Sequence, residues 1–479
     1  MHIDTLIIGA GISGIGMAVY LQKHCPKRHF LILEHRERLG GTWDLFRYPN
    51  IRSDSDMLTF SYGFKPWQDK KLFASGQAIL DYLQETAEQY QILPKIKFQH
   101  QVKSLNWDTQ KKIWQITIVH HAQVIEMTAN FVIGATGYYQ YEQGFMPDFA
   151  EQEKFQGQII HPQHWQHDLD VKNKQVVVIG SGATAITLVP ALVKQGAKVT
   201  MLQRSPTYVV ALPEQDQLYL KLQKILPQPW VYQLARQRNI LTQQALYLFA
   251  KKKPKLLQKV LHFATKKQLQ GKVDIKHFSP NYLPWQQRLC VAPDGDLFKV
   301  LRDGQAKIYT EQIEKFDQTG IILNNGEHLD ADIIISATGL NIALFGGAEL
   351  SIDGQDIDLS QRLMYNGLLM NNVPNFVMLA GYPNASWTLR IDIIADYICR
   401  LLNEMQDRKA QVLYADGTNA KSYPISTLGS ALNAGYVKRA EKLLPRQGKA
   451  RPWRGFASYY AEKLYLKRAK FDDGILKFE

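Results

Sequence analysis

The hydrophobic pattern along the chain changes period in a repeating order. Near the N-terminus, DTLIIGAGISGIGMAVYLQK passes from a β-branched run through glycines into apolar positions three and four apart, and FLILE comes next. That order predicts strand, glycine turn, helix and second strand, the βαβ unit. The same order returns at residues 175–205, QVVVIGSGATAITLVPALVKQGAKVTMLQRS. Two apolar runs ending in Ala-Thr-Gly, FVIGATG at 131–137 and DIIISATG at 332–339, lie where a returning strand of each unit would close. They read either as ordinary strand ends or as sharp turns across a bound cofactor, and their matched placement favours the second. The expected fold class is therefore α/β with two Rossmann-like dinucleotide-binding domains. Residues 210–275 break the pattern: apolar residues recur at helical spacing with basic residues on the other face, which predicts a helical insertion in the second domain. Beyond residue 340, YPNASWTLRIDIIADYICRLLNEM predicts a loop and then an amphipathic helix. The expected division is a first nucleotide domain from 1–145 and 341–479, a second from 146–208 and 281–340, and the insertion at 209–280.

The two glycine loops differ in the strand ends that accompany them. Gly9, Gly11 and Gly14 form GxGxxG between strand and helix, where glycines allow the tight turn, the approach of a pyrophosphate and close helix–strand packing. The helix N-terminus adds amide donors and a favourable dipole. Glu34, at the end of the second strand, is placed to accept hydrogen bonds from ribose hydroxyls. The second loop has Gly180, Gly182 and Ala185, and its second strand ends in Arg204. A guanidinium there would bind a ribose 2′-phosphate that a carboxylate would repel. FAD at the first loop and NADPH at the second is the economical assignment. A solvated strand-end charge is the plain alternative for Arg204.

Composition alters this picture little. The chain has 479 residues, 45% of them hydrophobic, which suits several folded domains and excludes disordered or collagenous classes. Cys25, Cys290 and Cys399 stand too far apart in sequence for a CxxC pair or a clustered thiolate metal site, so no metal is expected, and a reducing cytoplasmic location is. Residues 5–22 and 175–193 are charge-free and about long enough to span a bilayer, yet their glycine-rich centres mark strand, turn and helix. The first also lacks a basic leader, so no signal peptide is expected. The net charge of +13 invites a polyanion partner. It is concentrated in residues 251–276, with nine Lys and one acid, and in 436–479, with twelve Lys and Arg and five acids. The remainder is close to neutral, which argues against nucleic acid and leaves weak peripheral contact with an anionic membrane through these two segments. Trp453, Phe456, Tyr459 and Tyr460 are the candidate interface aromatics of the second segment.

At this point the motifs resemble the Baeyer-Villiger monooxygenases, a branch of the class B flavin-dependent monooxygenases. The identifying run F-x-G-x-x-x-H-x-x-x-W stands at Phe155, Gly157, His161 and Trp165, just before the second glycine loop. A second pattern matches Gly41, Trp43, Tyr48, Pro49 and Asp54. The runs RSDSDML, PWQQRLC, NASWTLR and FDDGIL look most like the ethionamide-activating branch. The sequence departs from the family at Asn50, Gln166 and Gln287; the last replaces a Lys that helps to hold the 2′-phosphate in many relatives, which puts more weight on Arg204.

The resemblance implies an NADPH- and O2-dependent oxygenase that acts through a C4a-peroxyflavin, converting ketones to esters or lactones and also oxidising thioethers. It makes Arg288 the active-site arginine and Asp54 the carboxylate that orients it; without the family pattern, each reads equally well as a surface ion-pair residue. Ser13, Thr42, Arg52, Ser53 and Val102 join Gly9, Gly11, Gly14, Glu34, Gly41, Trp43 and Asp54 as expected FAD-site residues. Ser181, Ala183, Thr184, Ser205 and Trp387 join Gly180, Gly182, Ala185 and Arg204 at the NADP site; Trp387 reads equally as a core anchor. His161 is expected to couple the two domains, and His164 to be structural. Three rivals stand: a disulfide reductase, which needs a cysteine pair this chain lacks, a flavin monooxygenase acting on nitrogen or sulfur, and, from a different class, a protein whose primary role is peripheral binding to an anionic membrane.

Overall fold

The computed structural model describes residues 1–479 apart from 384, 427, 430–432 and 457. Asn384, in the NASWTLR run, thus lies outside the described residues. Strand β1 (His2–Ile8), helix α1 (Ile12–His24) and strand β2 (Phe30–Leu33) form the first βαβ unit, and β3 (Gln123–Gly134) returns on the other side of β1. β1 pairs in parallel with both β2 and β3. All four residues of β2 are buried, the near-continuous apolar signature of a strand covered on both faces. The meander beside it shows the other pattern: Ile113–His120 alternates buried and partly buried positions because its two faces meet different surroundings. Glu349–Ile352 and Phe376–Met378, from the later half of the chain, complete this nine-stranded sheet.

The second sheet has five parallel strands. In chain order they are β4 (Gln158–Ile160), β5 (Gln175–Ile179), β6 (Lys198–Gln203), β7 (Ala306–Thr310) and β8 (Ile333–Ser336). Their spatial order is β7-β6-β5-β8-β4, and helix α2 (Ala183–Lys194) connects β5 to β6. The first sheet therefore draws on residues 2–134 and 349–378, and the second on 158–336.

Helices α3 (Gln228–Lys252) and α4 (Pro254–Leu269) form the body of the insertion. α3 is anchored to the first domain by Arg236, whose buried guanidinium donates to the carbonyls of Leu58 and Ser61 at 2.6 and 3.0 Å and pairs with Asp392 at 3.3 Å. Asp392 lies on α5 (Trp387–Asp407), the amphipathic helix expected after the loop, which packs on α1. Burial pushes the Asp392 carboxyl up to about 6, against the pull of Arg236.

The expectation that Trp453 and Tyr459 of the basic C-terminal segment face an interface is corrected. Trp453 and Tyr459 are buried in the main core, Glu462 is buried against Arg390 at 3.0 Å, and Leu476–Phe478 pairs with Leu413–Ala415. Aromatic side chains of this size contribute far more inside a core than facing water, so these two are not available to an interface.

Candidate active site

The two glycine loops are built alike. Gly9 has φ +103° and its N–H donates to the Leu33 carbonyl; Gly180 has φ +140° and donates to that of Leu202. A Cβ on Gly9 would stand 2.9 Å from the carbonyl oxygen of Ala135, and one on Gly180 2.4 Å from that of Ala337. Each first glycine thus packs directly on its own Ala-Thr-Gly end, which accounts for the matched placement of those runs. At the third position, a Cβ on Gly14 would meet the Gly9 carbonyl oxygen at 1.9 Å, whereas Ala185 is accommodated and buried.

Beyond the shared frame the loops diverge. Glu34 follows Leu33 and is buried; its carboxylate accepts from the amides of Ala10 at 2.7 Å and Arg36 at 2.9 Å. Burial raises its carboxyl, and the two amides and the Arg36 charge oppose that rise. In the second unit, the residue directly after Leu202 is Gln203, not Arg204. Gln203 is buried and turned inward, donating to the His277 carbonyl at 2.7 Å and the Thr310 hydroxyl at 2.8 Å. The reading that set Arg204 against the acid is therefore corrected by one position: a neutral glutamine replaces the acid. Arg204 comes next, exposed and with no hydrogen bond or ion pair among the described residues.

A continuous cavity runs from the first loop to the start of α2. Gly9, Gly11, Ser13 and Glu34 line one end, with Gly41, Thr42, Trp43 and Val102 along the walls. Ala183 and Thr184 reach it from the second domain, and Arg52, Asp54 and Arg288 line it as well. Gly14 and Ser53 are buried beside it rather than on its wall. Gly180, Ser181, Gly182, Arg204 and Ser205 stand outside it, around the open N-terminus of α2, where a Cβ on Gly182 would meet nothing within 4 Å. Trp387 begins α5, and its indole N–H donates to the Ser13 hydroxyl at 2.8 Å, so the structure sets it against the first loop.

These residues fit the two nucleotides. The first loop offers free helix N-terminal amides and a buried carboxylate at the strand end. The Arg52 guanidinium pairs with Asp296 at 2.6 Å through Nη1, while its Nη2 is buried in the cavity wall without a partner among the described residues. A buried donor left unmatched implies a missing acceptor. The second loop offers an exposed glycine turn, a helix N-terminus and an unpaired guanidinium, a donor set suited to phosphates.

At the centre, Arg288 Nη1 stands 3.6 Å from an Asp54 carboxylate oxygen, and its Nε donates to the Pro383 carbonyl at 2.9 Å. Their side chains remain 36% and 39% exposed, so both present polar atoms to the cavity. Burial works against the charge of Arg288, yet Tyr138, Asp54, Tyr436 and Tyr139 around it raise its pKa on balance. It stays cationic at any working pH. Tyr138 and Tyr139 follow the first Ala-Thr-Gly directly, and their hydroxyls lie 3.2 Å apart. Burial pushes both phenols, and that of Tyr436, well above the ordinary value. This tyrosine shell was missed in the sequence. The Tyr pair had a signal in its position after Ala-Thr-Gly; Tyr436, from the C-terminal segment, had none.

A second feature missed from sequence lies at Asp44, buried and held by Arg36, Arg38 and Arg47. It ties Arg36 and Arg38, after β2, to the short helix Thr42–Leu45, whose Thr42 and Trp43 line the cavity.

The fingerprint run forms the joint between the domains. β4 adds to the edge of the second sheet beside β8, and a Cβ on Gly157 would meet the Asp332 carbonyl oxygen at 2.4 Å, so close pairing requires glycine. His161 Nε2 lies 3.0 Å from the Gly339 carbonyl oxygen, while Nδ1 accepts the Gln163 amide at 3.1 Å, which sets the tautomer with the proton on Nε2. Gln163 in turn donates to the carbonyls of Gln140 and Tyr141. One short segment therefore ties the ends of both Ala-Thr-Gly turns. His161 does not line the cavity.

Burial holds the His161 imidazole below its ordinary value, against the hydrogen bond to Gly339. Below the unfolded value of about 6.5 the unfolded chain takes up a proton that the folded site resists. His161 therefore contributes stability above that pH, which is lost as the pH falls. Thermal unfolding at pH 7 and pH 5 should show a smaller acid loss for His161→Gln than for the parent. Equal losses would remove His161 as a source of this dependence.

Comparison with known proteins fits this geometry. Residues 6–215 match the family described as Pyridine nucleotide-disulphide oxidoreductase, and 168–284 the one described as Putative NAD(P)-binding. All three cysteines are free, so no disulfide accompanies the first match. The chain is 53% identical over its whole length to the probable FAD-binding monooxygenase AlmA of Acinetobacter baylyi, covering 96% of that protein. It is 46% identical to the FAD-containing monooxygenase EthA of Mycobacterium tuberculosis, again over the whole chain and covering 98% of that protein. Among solved structures, a steroid monooxygenase bound to NADP superposes with a TM-score of 0.76 at 20% identity, over 100% of this chain and 99% of that one. A cyclohexanone monooxygenase superposes with a TM-score of 0.77 at 17% identity, covering both chains completely. Two dinucleotide folds, a joint built on the Phe155–Trp165 run and relatives matched from end to end lead to one conclusion: the chain belongs to the FAD-containing monooxygenases, with an NAD(P)-binding second unit, and it has the fold of the Baeyer-Villiger monooxygenases.

Proposed function

We propose that the protein inserts one oxygen atom beside a ketone carbonyl, giving an ester or lactone, and oxidises thioethers as a side activity. The observation that carries this reading is the Arg288–Asp54 pair on the cavity wall, a fixed cation inside a shell of neutral tyrosines. In the overall balance, ketone, O2, NADPH and a proton give ester or lactone, NADP⁺ and water. Bound FAD, reduced by NADPH, supplies the activation of O2.

The chain's own residues do the rest. Glu34 and the amides at the start of α1 hold the first nucleotide; Arg204, Ser205 and the Gly180–Thr184 turn hold the second. Arg52, bound to Asp296, links the cavity wall to the second domain. The Arg288 guanidinium faces the negative charge that develops on oxygen as the carbonyl is attacked, and acts without reorganising because Asp54 and the Pro383 carbonyl already orient it. Tyr138, Tyr139 and Tyr436 stay protonated beside the guanidinium. Trp387, fixed by Ser13, shapes the wall between the first loop and the substrate space. Two proteins of this fold, a cyclohexanone monooxygenase and a polycyclic ketone monooxygenase, carry ketones in their names.

The FAD-loaded protein, given NADPH, O2 and a panel of linear, cyclic and aryl ketones, should yield an ester or lactone in proportion to the NADPH consumed. Thioethers should give sulfoxides more slowly. Sulfoxide or N-oxide products with no ester from any ketone would replace this reading by that of a nitrogen- and sulfur-oxygenating flavin monooxygenase.

A further inference from the structure

The insertion was expected to bury its apolar residues and turn its basic ones to solvent; instead it carries apolar residues on both faces. On α3, the inner face buries Val231, Tyr232, Ala235, Arg236 and Ile240. Trp230, Leu234, Leu241 and Leu248 are each at least half exposed. At 3.6 residues per turn these four fall within about 40° of arc, opposite the buried face. On α4, Leu257, Leu261, Thr265 and Leu269 are buried, and Leu256, Val260 and Phe263 are exposed along the opposite side. Trp230 is 71% exposed and Phe263 73%. Scattered exposed leucines are ordinary, but continuous stripes on two consecutive helices mark an interaction surface.

The charge around the stripes says which partner fits. Lys251, Lys252 and Lys253 occupy the corner between the helices, and Lys255, Lys259, Lys266 and Lys267 flank the α4 stripe, all exposed. None of the seven pairs with a carboxylate among the described residues. A second copy docking through the same patch would set these lysines against their own counterparts. An anionic bilayer matches both features, taking the apolar stripes among its acyl chains and the ammonium groups among its headgroups. No described helix is long and apolar enough to cross a membrane, so the helices would lie along the surface.

We infer that α3 and α4 form a docking surface for an anionic lipid bilayer. The inner face of α3 adds a consequence. Ile240, Gln243 and Tyr247 line a small cavity with Tyr382, Ala385 and Leu389, and Ala385 also lines the large cofactor cavity. The docked enzyme would hold the approach to its flavin pocket one helix away from the membrane, whichever substrate is oxygenated.

The test is co-sedimentation of the FAD-loaded protein with phosphatidylcholine vesicles containing or lacking phosphatidylglycerol, at low and high salt. Binding should require the anionic lipid and weaken at high salt. W230S/F263S, and separately K255E/K259E, should each weaken it by about tenfold or more. Both variants should retain full FAD content and NADPH oxidation, because none of these residues lines the cofactor cavity. Failure of the parent to sediment at low salt, or equal binding by parent and variants, overturns the inference. So does conversion of a parent dimer to monomers by W230S/F263S without vesicle binding, which would assign the surface to a second copy.

Discussion

Replacing Arg288 by alanine is expected to leave NADPH oxidation running while oxygenated product falls by about 10²–10³-fold, the size of effect seen when one preorganised donor to developing oxygen charge is removed. The split follows from geometry. Hydride delivery depends on the second nucleotide being held at the Gly180 loop, and Arg288 belongs to neither glycine turn. Its guanidinium is instead held between Asp54 and the Pro383 carbonyl, with its exposed part on the cavity wall. Reducing equivalents taken from NADPH should then appear as hydrogen peroxide. Arg288→Lys should recover only part of the activity, because an ammonium cannot meet both partners with one planar group. Measuring NADPH consumption, peroxide and product together decides the matter. A product yield per NADPH equal to that of the parent would end the assignment of Arg288.

Replacing Arg204 by alanine should raise the KM for NADPH by about 10- to 100-fold, the range of one to two lost charge-assisted hydrogen bonds, and leave that for NADH nearly unchanged. Arg204 is exposed, unpaired among the described residues and one position beyond inward-turned Gln203. Its loss breaks no internal contact, so the fold should be untouched. Gln287 makes the expectation sharper: where many relatives of the resembled family have a lysine, this chain has a neutral side chain, leaving Arg204 to discriminate between the cofactors. Equal rises for NADPH and NADH would mean that Arg204 acts on the shape of the loop rather than on the 2′-phosphate.

Much of the fold was legible in the chain because the relevant signals are local. A buried parallel strand, a glycine that must take positive φ and an apolar helix face succeed one another within a few tens of residues, and no other order of elements satisfies that pattern. The residues of the candidate site divide differently. Gly9, Gly11, Gly14, Glu34 and Gly180 could be named from spacing alone. Asp54 and Arg288 were reached only through a resemblance, since residues so far apart in sequence carry no local sign that they will meet. The tyrosines around Arg288 and the three arginines on Asp44 escaped notice, because a tyrosine or arginine in a loop looks alike whether it faces solvent or a buried charge.

The sequence by itself determined the two nucleotide units, their order, the helical interruption and where the positive charge is concentrated. Only the tertiary structure decided which surfaces those features occupy. The two basic segments look equivalent by composition, yet the C-terminal one folds into the core through Trp453, Tyr459 and Leu466, while α3 and α4 keep Trp230, Leu241 and Phe263 in solvent. The reason is physical: helical period places apolar residues on a face, but whether that face is covered depends on how much of the remaining chain reaches it. One inner face of the insertion was enough to anchor it on Leu58, Ser61 and Asp392, and the outer face was left for something else.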